Sequence, residues 1–317
     1  QGTRPAPVAN GFNYEKPDVY AQQWNFTLIT EIPGGWGLET GYTGNRGLNI
    51  RRQMNVNWLL PGTLVRPFPQ FSRVNVDFAD GQSSYHALQV NLRKRMTSGL
   101  AGTLSYAFGK VLDNVGDSLV GSSQPQDNNC YACERGPGNM DVRHNLSYSV
   151  LWELPWRRNS RLWGGWQLAS LALLRTGAAL NVTQPQNTAG SDNLTNQRPD
   201  RIAGVNPYPS SQSPSLWLNP AAFQVAPRAR YGSSARNPLY GPRFAQVDAS
   251  AIKDTRLTER LNLQFRAEVF NLFNTPNFAP PNTVVGTPNF GRIFNTVGRT
   301  IGSGTARQIQ LALRLAF

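Results

Sequence analysis

The last ten residues of the chain alternate strictly between two kinds of side chain. Every second residue is large and apolar, namely Ile309, Leu311, Leu313, Leu315 and Phe317. A period of two predicts a β-strand with one apolar face. Such a face packs on the core of a soluble sheet or meets lipid in a membrane barrel, and this strand alone leaves both open.

Eight further segments show the same alternation, so we predict nine antiparallel strands in an all-β meander. The eight lie at about 24–32, 36–44, 84–96, 100–108, 145–154, 164–176, 244–254 and 261–269. The register of the sixth strand stays open, because residues 171–174 are apolar on both faces.

The connections between these strands alternate between short and long. The predicted long loops span about 45–83, 111–140, 177–243 and 273–304. A soluble sandwich needs no such rule, whereas outer-membrane barrels join their strands by short periplasmic turns and long extracellular loops. The pattern favours a barrel that spans a membrane.

Composition restricts the alternatives. The chain has no run of about 18 apolar residues, which excludes a transmembrane helix but leaves barrel strands possible. The net charge of +13 comes from scattered arginines, without a basic cluster or a nucleic-acid-binding motif. We therefore expect no nucleic-acid partner, and attribute the charge to a basic lumen or loops that attract anionic ligands or lipopolysaccharide.

Aromatic residues gather near the predicted short turns. Those at this end are Trp36, Trp152, Trp156, Trp163, Trp166 and Phe317. A second set lies toward the long loops, namely Trp24, Tyr42, Tyr85, Tyr106 and Phe108. Barrels carry such aromatic girdles at the two membrane interfaces, so we interpret the first set as one girdle.

The remaining chemistry-bearing residues favour structural roles. Cys130 and Cys133 lie in one long loop, and a small disulfide there is preferred over free thiols. The sequence predicts no metal site and no cofactor, since a zinc site needs more Cys or His nearby. The segment 141–144, Asp-Val-Arg-His, is interpreted as an anchor of the fifth strand. A catalytic site would need a second motif, so no enzyme is expected.

Several short sequence segments, in this order along the chain, resemble those of Oar-like TonB-dependent receptors, which are abundant in Acidobacteria and relatives. They cover nearly the whole chain: Trp24-Asn25-Phe26, Gly41-Tyr42-Thr43-Gly44-Asn45-Arg46-Gly47, Tyr85-His86-Ala87-Leu88-Gln89, Asp141-Val142-Arg143-His144, Gly164-Gly165-Trp166-Gln167, and Phe270-Asn271-Leu272-Phe273-Asn274. The final strand, ending in Phe317, also resembles the terminal strand that the outer-membrane barrel assembly machinery recognises.

This resemblance implies a 22-stranded barrel with an internal plug and an N-terminal box that the TonB complex pulls. The nine strands would be strands fourteen to twenty-two, and residues 1–317 the C-terminal part of the barrel, without plug or box. An odd number of strands does not close in the usual antiparallel way, so we expect an open curved sheet. The implied location is the outer membrane of a Gram-negative bacterium.

The resemblance also implies a function and a set of inward-facing residues. The expected function is uptake, or export, of an unidentified ligand through a gated pore. The alternatives are a surface receptor or adhesin that displays its loops without transport, and a soluble carbohydrate-binding β-sandwich. Six predicted lumen residues would contact either the plug or a ligand: Arg93, Arg95, Arg266, Glu268, Gln310 and Arg314.

Overall fold

The structure is a computed structural model that describes residues 6–59, 62, 63, 65–115, 125–127, 130–156, 160–185, 188, 189, 197–297 and 306–317. Nine long strands form one antiparallel sheet, and each strand pairs with the next along the chain. They are β1 (Tyr20–Ile32), β2 (Trp36–Asn55), β3 (Arg73–Thr97), β4 (Leu100–Asp113), β5 (His144–Glu153), β6 (Trp166–Arg175), β7 (Phe244–Arg256), β8 (Asn262–Phe270) and β9 (Gln308–Ala316).

The sheet is open, as the odd strand count predicts. Within the described residues no pairing joins β1 to β9, and the sheet runs in a single path from one to the other. Both strands are exposed along nearly their whole length. Each therefore presents an edge of backbone N–H and C=O groups that another strand can pair with.

One continuous register gives the sheet two distinct faces. Residues directly opposite one another on neighbouring strands point to the same side. One such row crosses all nine strands: Ile32, Trp36, Lys94, Gly102, Val150, Ser170, Ala249, Val269 and Ile309. We call this side the apolar face. The opposite side, the inner face, carries most of the polar strand residues.

The register of β6, which its sequence leaves open, follows from its two neighbours. The strand pairs with β5 and β7 without a shift, and Leu168 lies opposite Trp152 while Leu174 lies opposite Leu146. These leucines therefore belong to the apolar face. Leu171, opposite Ser149, belongs to the inner face.

The predicted loop at 45–83 is wrong at both ends, because β2 extends to Asn55 and β3 begins at Arg73. A register shift between Leu48 and Arg51 breaks the alternation of β2, and cross-strand ion pairs replace an apolar face beyond it. Arg51 pairs with Asp77 at 2.5 Å and Arg52 with Asp80 at 2.7 Å. In the sequence these charged residues are typical of a loop, yet in the structure they join two strands.

The long connections pack together at one end of the sheet into what we call the loop cap, comprising the described parts of 56–72, 114–143, 176–243 and 271–307. It contains two-residue strands and two 3-10 helices: Gly136–Pro137, Ala179–Leu180, Asp200–Arg201, Phe223–Gln224, Leu239–Tyr240, Tyr131–Glu134 and Pro220–Ala222. Strand Val8–Phe12 adds to the cap end of β3 in parallel. Parts of the predicted loops 111–140, 177–243 and 273–304 lie outside the described residues.

The loop cap has a hydrophobic core of its own. Its buried members come from two of the long connections: Leu180, Val182, Leu218, Ala222, Phe223, Leu239, Val285 and Phe290. Leu218 is fully buried, and the backbone of Gly291 bonds to it from the other connection. None of these buried members belongs to one of the nine long strands, so this core is separate from the sheet.

Replacing Leu218 by Ala should destabilise the loop cap. Removing a buried leucine side chain costs about 2–5 kcal/mol, through lost burial and the cavity left behind. Hydrogen exchange of cap amides measures this as a loss of protection, while the strands keep theirs. Leu216→Ala is the matched control, because that side chain is 40% exposed. Equal loss of protection in both variants would contradict a core centred on Leu218.

Candidate ligand-facing surface: the inner face and the loop cap

The first predicted lumen residues line a groove on the inner face, near the short turns of β1–β4. The groove has a volume of about 510 Å³, and its charged lining residues are Glu31, Glu39, Arg93 and Arg95. Arg95 pairs with Glu31 at 3.6 Å, and both side chains are largely exposed. Because a solvent-exposed pair contributes little to stability, both groups remain available to a partner.

The other four predicted lumen residues lie on β8 and β9. Glu268 stands directly opposite Gln310, and Arg314 stands opposite Gln264, whose amide donates to Asp254 at 2.9 Å. Within the described residues, no ion pair involves the four predicted residues, which are Arg266, Glu268, Gln310 and Arg314. An inner face with unpaired charges on fixed strands is suited to bind a polar partner.

The structure places all six predicted residues on the inner face but does not bring them into one cluster. Four strands, β4–β7, separate Arg93 and Arg95 from the residues on β8. At the usual strand spacing this is about 24 Å along the sheet. The inner face therefore offers two separate polar surfaces.

Of two buried ion pairs, one joins two connections of the loop cap and the other fixes the cap to the end of β4. Arg198 donates to both carboxylate oxygens of Glu134, at 2.9 and 3.0 Å, and Arg236 pairs with Asp113 at 2.6 Å. All four side chains are at least 90% buried. Since a buried charge that loses its partner is very unfavourable, these pairs restrict how the connections can be arranged.

Cys130 and Cys133 form a disulfide around the short helix that carries Tyr131. The Tyr131 hydroxyl donates to the backbone carbonyl of Asp80, and the Arg52 guanidinium lies 4.3 Å from the centre of its ring. Burial, and then the charge of Asp80, raise the pKa of Tyr131 to about 12. The disulfide loop therefore holds a neutral tyrosine against the tall β2–β3 hairpin.

Asp141 connects β4 to the loop cap. Its carboxylate is fully buried and accepts from the backbone N–H of Val111 and the hydroxyl of Tyr240, each at 2.7 Å. Burial and the Asp141 carboxylate raise the pKa of Tyr240 to about 12. His144, the first residue of β5, bonds through Nδ1 to the Tyr106 hydroxyl at 2.8 Å. These contacts fit an anchoring role.

Asp200 forms a further ion pair within the cap, with Arg230 at 2.5 Å. Burial alone would raise the pKa of Asp200. The hydrogen bonds from Arg230 and Ser233, with the charge of Arg230, outweigh burial and hold this pKa below its usual value. The carboxylate is thus more stable in the folded cap than in the unfolded chain.

The predicted girdle residues all lie at the short-turn end of the sheet. Trp36 begins β2, Trp166 begins β6 and Trp152 lies one residue before the end of β5. Trp156 and Trp163 lie in the connection between β5 and β6, and Phe317 follows β9. The exposed ones include Trp152, Trp156, Trp163 and Phe317.

Among the described residues, no group of three or more His, Cys, Asp or Glu side chains is arranged to hold a metal ion. No helix in the part of the chain that the structure describes is long and apolar enough to cross a membrane.

A family model described as the outer membrane beta barrel domain matches residues 1–310. The chain belongs to this family of outer membrane beta barrel domains. Its location is therefore the outer membrane, and the apolar face is the surface that meets lipid. Exposed leucines such as Leu311 and Leu313, which would be a liability in water, are expected there.

Solved structures of outer-membrane transporters and receptors resemble this barrel domain in fold. The transporter YddB from Escherichia coli is 9% identical with a TM-score of 0.49 over 95% of this chain and 33% of its own. The receptor FpvA from Pseudomonas aeruginosa, bound to pyoverdine, is 10% identical with a TM-score of 0.48 over 94% of this chain and 30% of its own. The FrpB iron transporter from Neisseria meningitidis is 12% identical with a TM-score of 0.44 over 97% of this chain and 32% of its own. No curated protein matches the chain.

The chain thus spans about a third of the length of those proteins. Sequence reasoning found the strands but missed the buried ion pairs of the loop cap. Glu134 is separated from Arg198 and Arg236 by β5, β6 and part of a long connection, and no local pattern joins these residues. Only the low content of apolar residues around them hints that burial there needs paired charges.

The pKa of Asp200 predicts how cap stability depends on pH. Because the folded-state pKa is lowered, Asp200 stabilises the cap above its unfolded pKa of about 3.8, and this contribution is lost as pH falls through the folded value. Hydrogen exchange of cap amides in the wild type, measured between pH 5 and pH 2, should show a loss of cap stability as Asp200 becomes protonated. Asp200→Asn should be less stable at pH 5 and lose less below it. Parallel profiles would contradict the assignment.

Lipid contact by the apolar face predicts a difference between two arginine substitutions on β9. Leu311→Arg places a charge in lipid and should cost about 2–4 kcal/mol near the bilayer midplane. Gln310→Arg, one residue away, faces Glu268 on the inner face and should cost little. Urea unfolding of the full-length protein in phosphatidylcholine vesicles measures both. Equal costs would show that the apolar face does not meet lipid.

Proposed function

We propose that this barrel domain is the C-terminal part of an Oar-like TonB-dependent transporter, contributing strands fourteen to twenty-two of a 22-stranded barrel. A ligand binds at the loop cap, the TonB complex remodels a plug, and the ligand crosses the lumen. The ligand is unidentified. Uptake is the favoured direction, and export would use the same pore.

The observation that carries the proposal is the unpaired state of the charges on β8 and β9 together with the two open sheet edges. Arg266, Glu268 and Arg314 face the lumen without ion pairs among the described residues. Both edges, β1 and β9, present unpaired backbone groups, which in lipid must be satisfied by further strands. A larger barrel containing a polar plug supplies partners for both.

The six inner-face residues take one of two roles under this proposal. Contact with the plug is favoured for each, since charged lumen residues can hold a plug by ion pairs and hydrogen bonds. Contact with a ligand is the alternative. The groove by Arg93 and Arg95 lies at the short-turn end, and the second surface has Gln310 and Glu268 nearer the loop cap.

The remaining assignments follow from the same orientation, with short turns in the periplasm and the loop cap outside the cell. The girdle residues at the short-turn end then meet the periplasmic interface, where tryptophan is favoured. The cap and its basic residues meet lipopolysaccharide. The last strand and Phe317 contact the barrel assembly machinery during insertion, and the TonB complex acts through an N-terminal part of the full-length protein.

A second candidate function is supported by the loop cap itself. A surface receptor or adhesin needs loops with a defined shape, and this cap has its own hydrophobic core and buried ion pairs. Such a protein would display the cap without transport. The experiment below separates the two functions because only a transporter depends on TonB.

Uptake of labelled glycans, peptides and metal chelates should be measured in cells with the gene, without it, and without TonB. A transporter gives accumulation that needs both genes, whereas a displayed receptor gives surface binding that survives loss of TonB. If every ligand that binds stays at the cell surface and none accumulates in the cell, the transport proposal is overturned.

Arg266→Gln separates plug contact from ligand contact. If Arg266 holds the plug, the variant should admit large antibiotics several-fold better and leave ligand affinity unchanged. If it contacts the ligand, affinity should fall and permeability should not. Arg256→Gln is the matched control, since that inner-face guanidinium already donates to the Glu259 carbonyl of its own turn. No change in either measurement would remove Arg266 from both roles.

A further inference from the structure

Two turns at the short-turn end share one design. The sequence Gly-Gly-Trp occurs at 34–36, before β2, and at 164–166, before β6. In each case the tryptophan is directly opposed by a lysine of the next strand in the sheet, Lys94 in the first and Lys253 in the second. Each ammonium group donates to the carbonyl of the first glycine of its turn. The lysine charge is thus drawn out of the apolar face toward the membrane boundary.

The two copies differ in the residue on the far side of the lysine. On the strand beyond the lysine, Gly102 of β4 lies directly opposite Lys94, and Phe265 of β8 lies directly opposite Lys253. A phenyl ring therefore covers the apolar face beside Lys253, and nothing larger than hydrogen covers it beside Lys94.

The missing side chain at Gly102 leaves a groove of about 330 Å³ on the apolar face. Its lining is apolar or aromatic apart from Lys94 at one end and Thr103, and its walls are formed by Trp36, Leu92, Leu100, Leu104, Tyr148 and Val150. The groove runs from the short-turn end into the belt that meets lipid. Its shape suits a hydrocarbon chain, and its end suits a negative charge.

We propose that this groove binds one anionic phospholipid, with part of an acyl chain over Gly102 and the headgroup phosphate at Lys94. An ammonium group donates three hydrogen bonds, and two go to the Gly34 carbonyl and the Thr97 hydroxyl. One remains for a phosphate oxygen. The Trp36 ring, 5.6 Å from the Lys94 nitrogen, supports the charge at this position. The assignment rests on the proposed orientation, which puts this end in the phospholipid leaflet.

The test is lipid retention by the full-length protein, taken from nanodiscs of equal parts phosphatidylglycerol and phosphatidylcholine and measured by native mass spectrometry. The wild type should retain phosphatidylglycerol preferentially. Lys94→Gln should reduce that retention about five-fold, which is the value of one lysine near anionic lipid. Lys253→Gln is the matched control and should change nothing, because Phe265 occupies the corresponding space.

Gly102→Phe gives the second test, since it copies the residue found beside Lys253. It should abolish retention of both lipids. Folding is checked by the shift in gel mobility on heating, and if this variant does not fold, the comparison of the two lysine variants decides. Equal retention in the Lys94 and Lys253 variants, equal retention of the two lipids by the wild type, or a bound second copy of the protein in place of lipid would each overturn the proposal.

The measurement uses neither a transported ligand nor TonB. Failed uptake with selective lipid retention would therefore overturn the transport function and leave the groove assigned. Normal uptake without selective retention would do the reverse.

Discussion

The nine-stranded sheet depends on the pairing of backbone groups between neighbouring strands, in a register that runs without a shift along the row from Ile32 to Ile309. Lipid offers no hydrogen bonds, so each strand that crosses it must satisfy its backbone through its neighbours. That pairing also aligns the side chains, because residues opposite one another share a face. The row from Ile32 to Ile309 shows the result, in which nine separate alternations become a single apolar surface and a single polar one.

The strands were predictable because lipid imposes a simple rule on every second residue. Ile309, Leu311, Leu313 and Leu315 satisfy it without a break, and most of the other eight segments follow it, whereas residues 171–174 of β6 are apolar on both faces. The rule stops where the lipid stops. Beyond Tyr42 and Leu88 the β2–β3 hairpin continues through Arg51, Asp77 and their neighbours, and there the sequence resembles a loop. The alternation of Val74, Val76 and Phe78 with polar residues was the one signal that could have revealed the upper part of β3.

The loop cap and the lysine turns were beyond sequence reasoning for a different reason. Their contacts join residues that are far apart in the chain and follow no period, as with Glu134 and Arg198 or Lys94 and Gly34. The six inner-face residues lay between these extremes. The alternation of side chains along each strand predicted which face of the sheet they occupy. Their separation into two surfaces depended on how many strands lie between β3 and β8.

The shared core of the loop cap bears on how a protein of this kind can change over evolutionary time. In a barrel whose surface loops stand apart, each loop can gain, lose or exchange residues under pressure from phages or immune recognition without affecting the others. Here Leu180, Leu218 and Val285 belong to one packed unit assembled from two connections, and buried charges join a third. Diversification must then proceed by compensated changes in several segments at once, or be confined to the outermost residues of the cap.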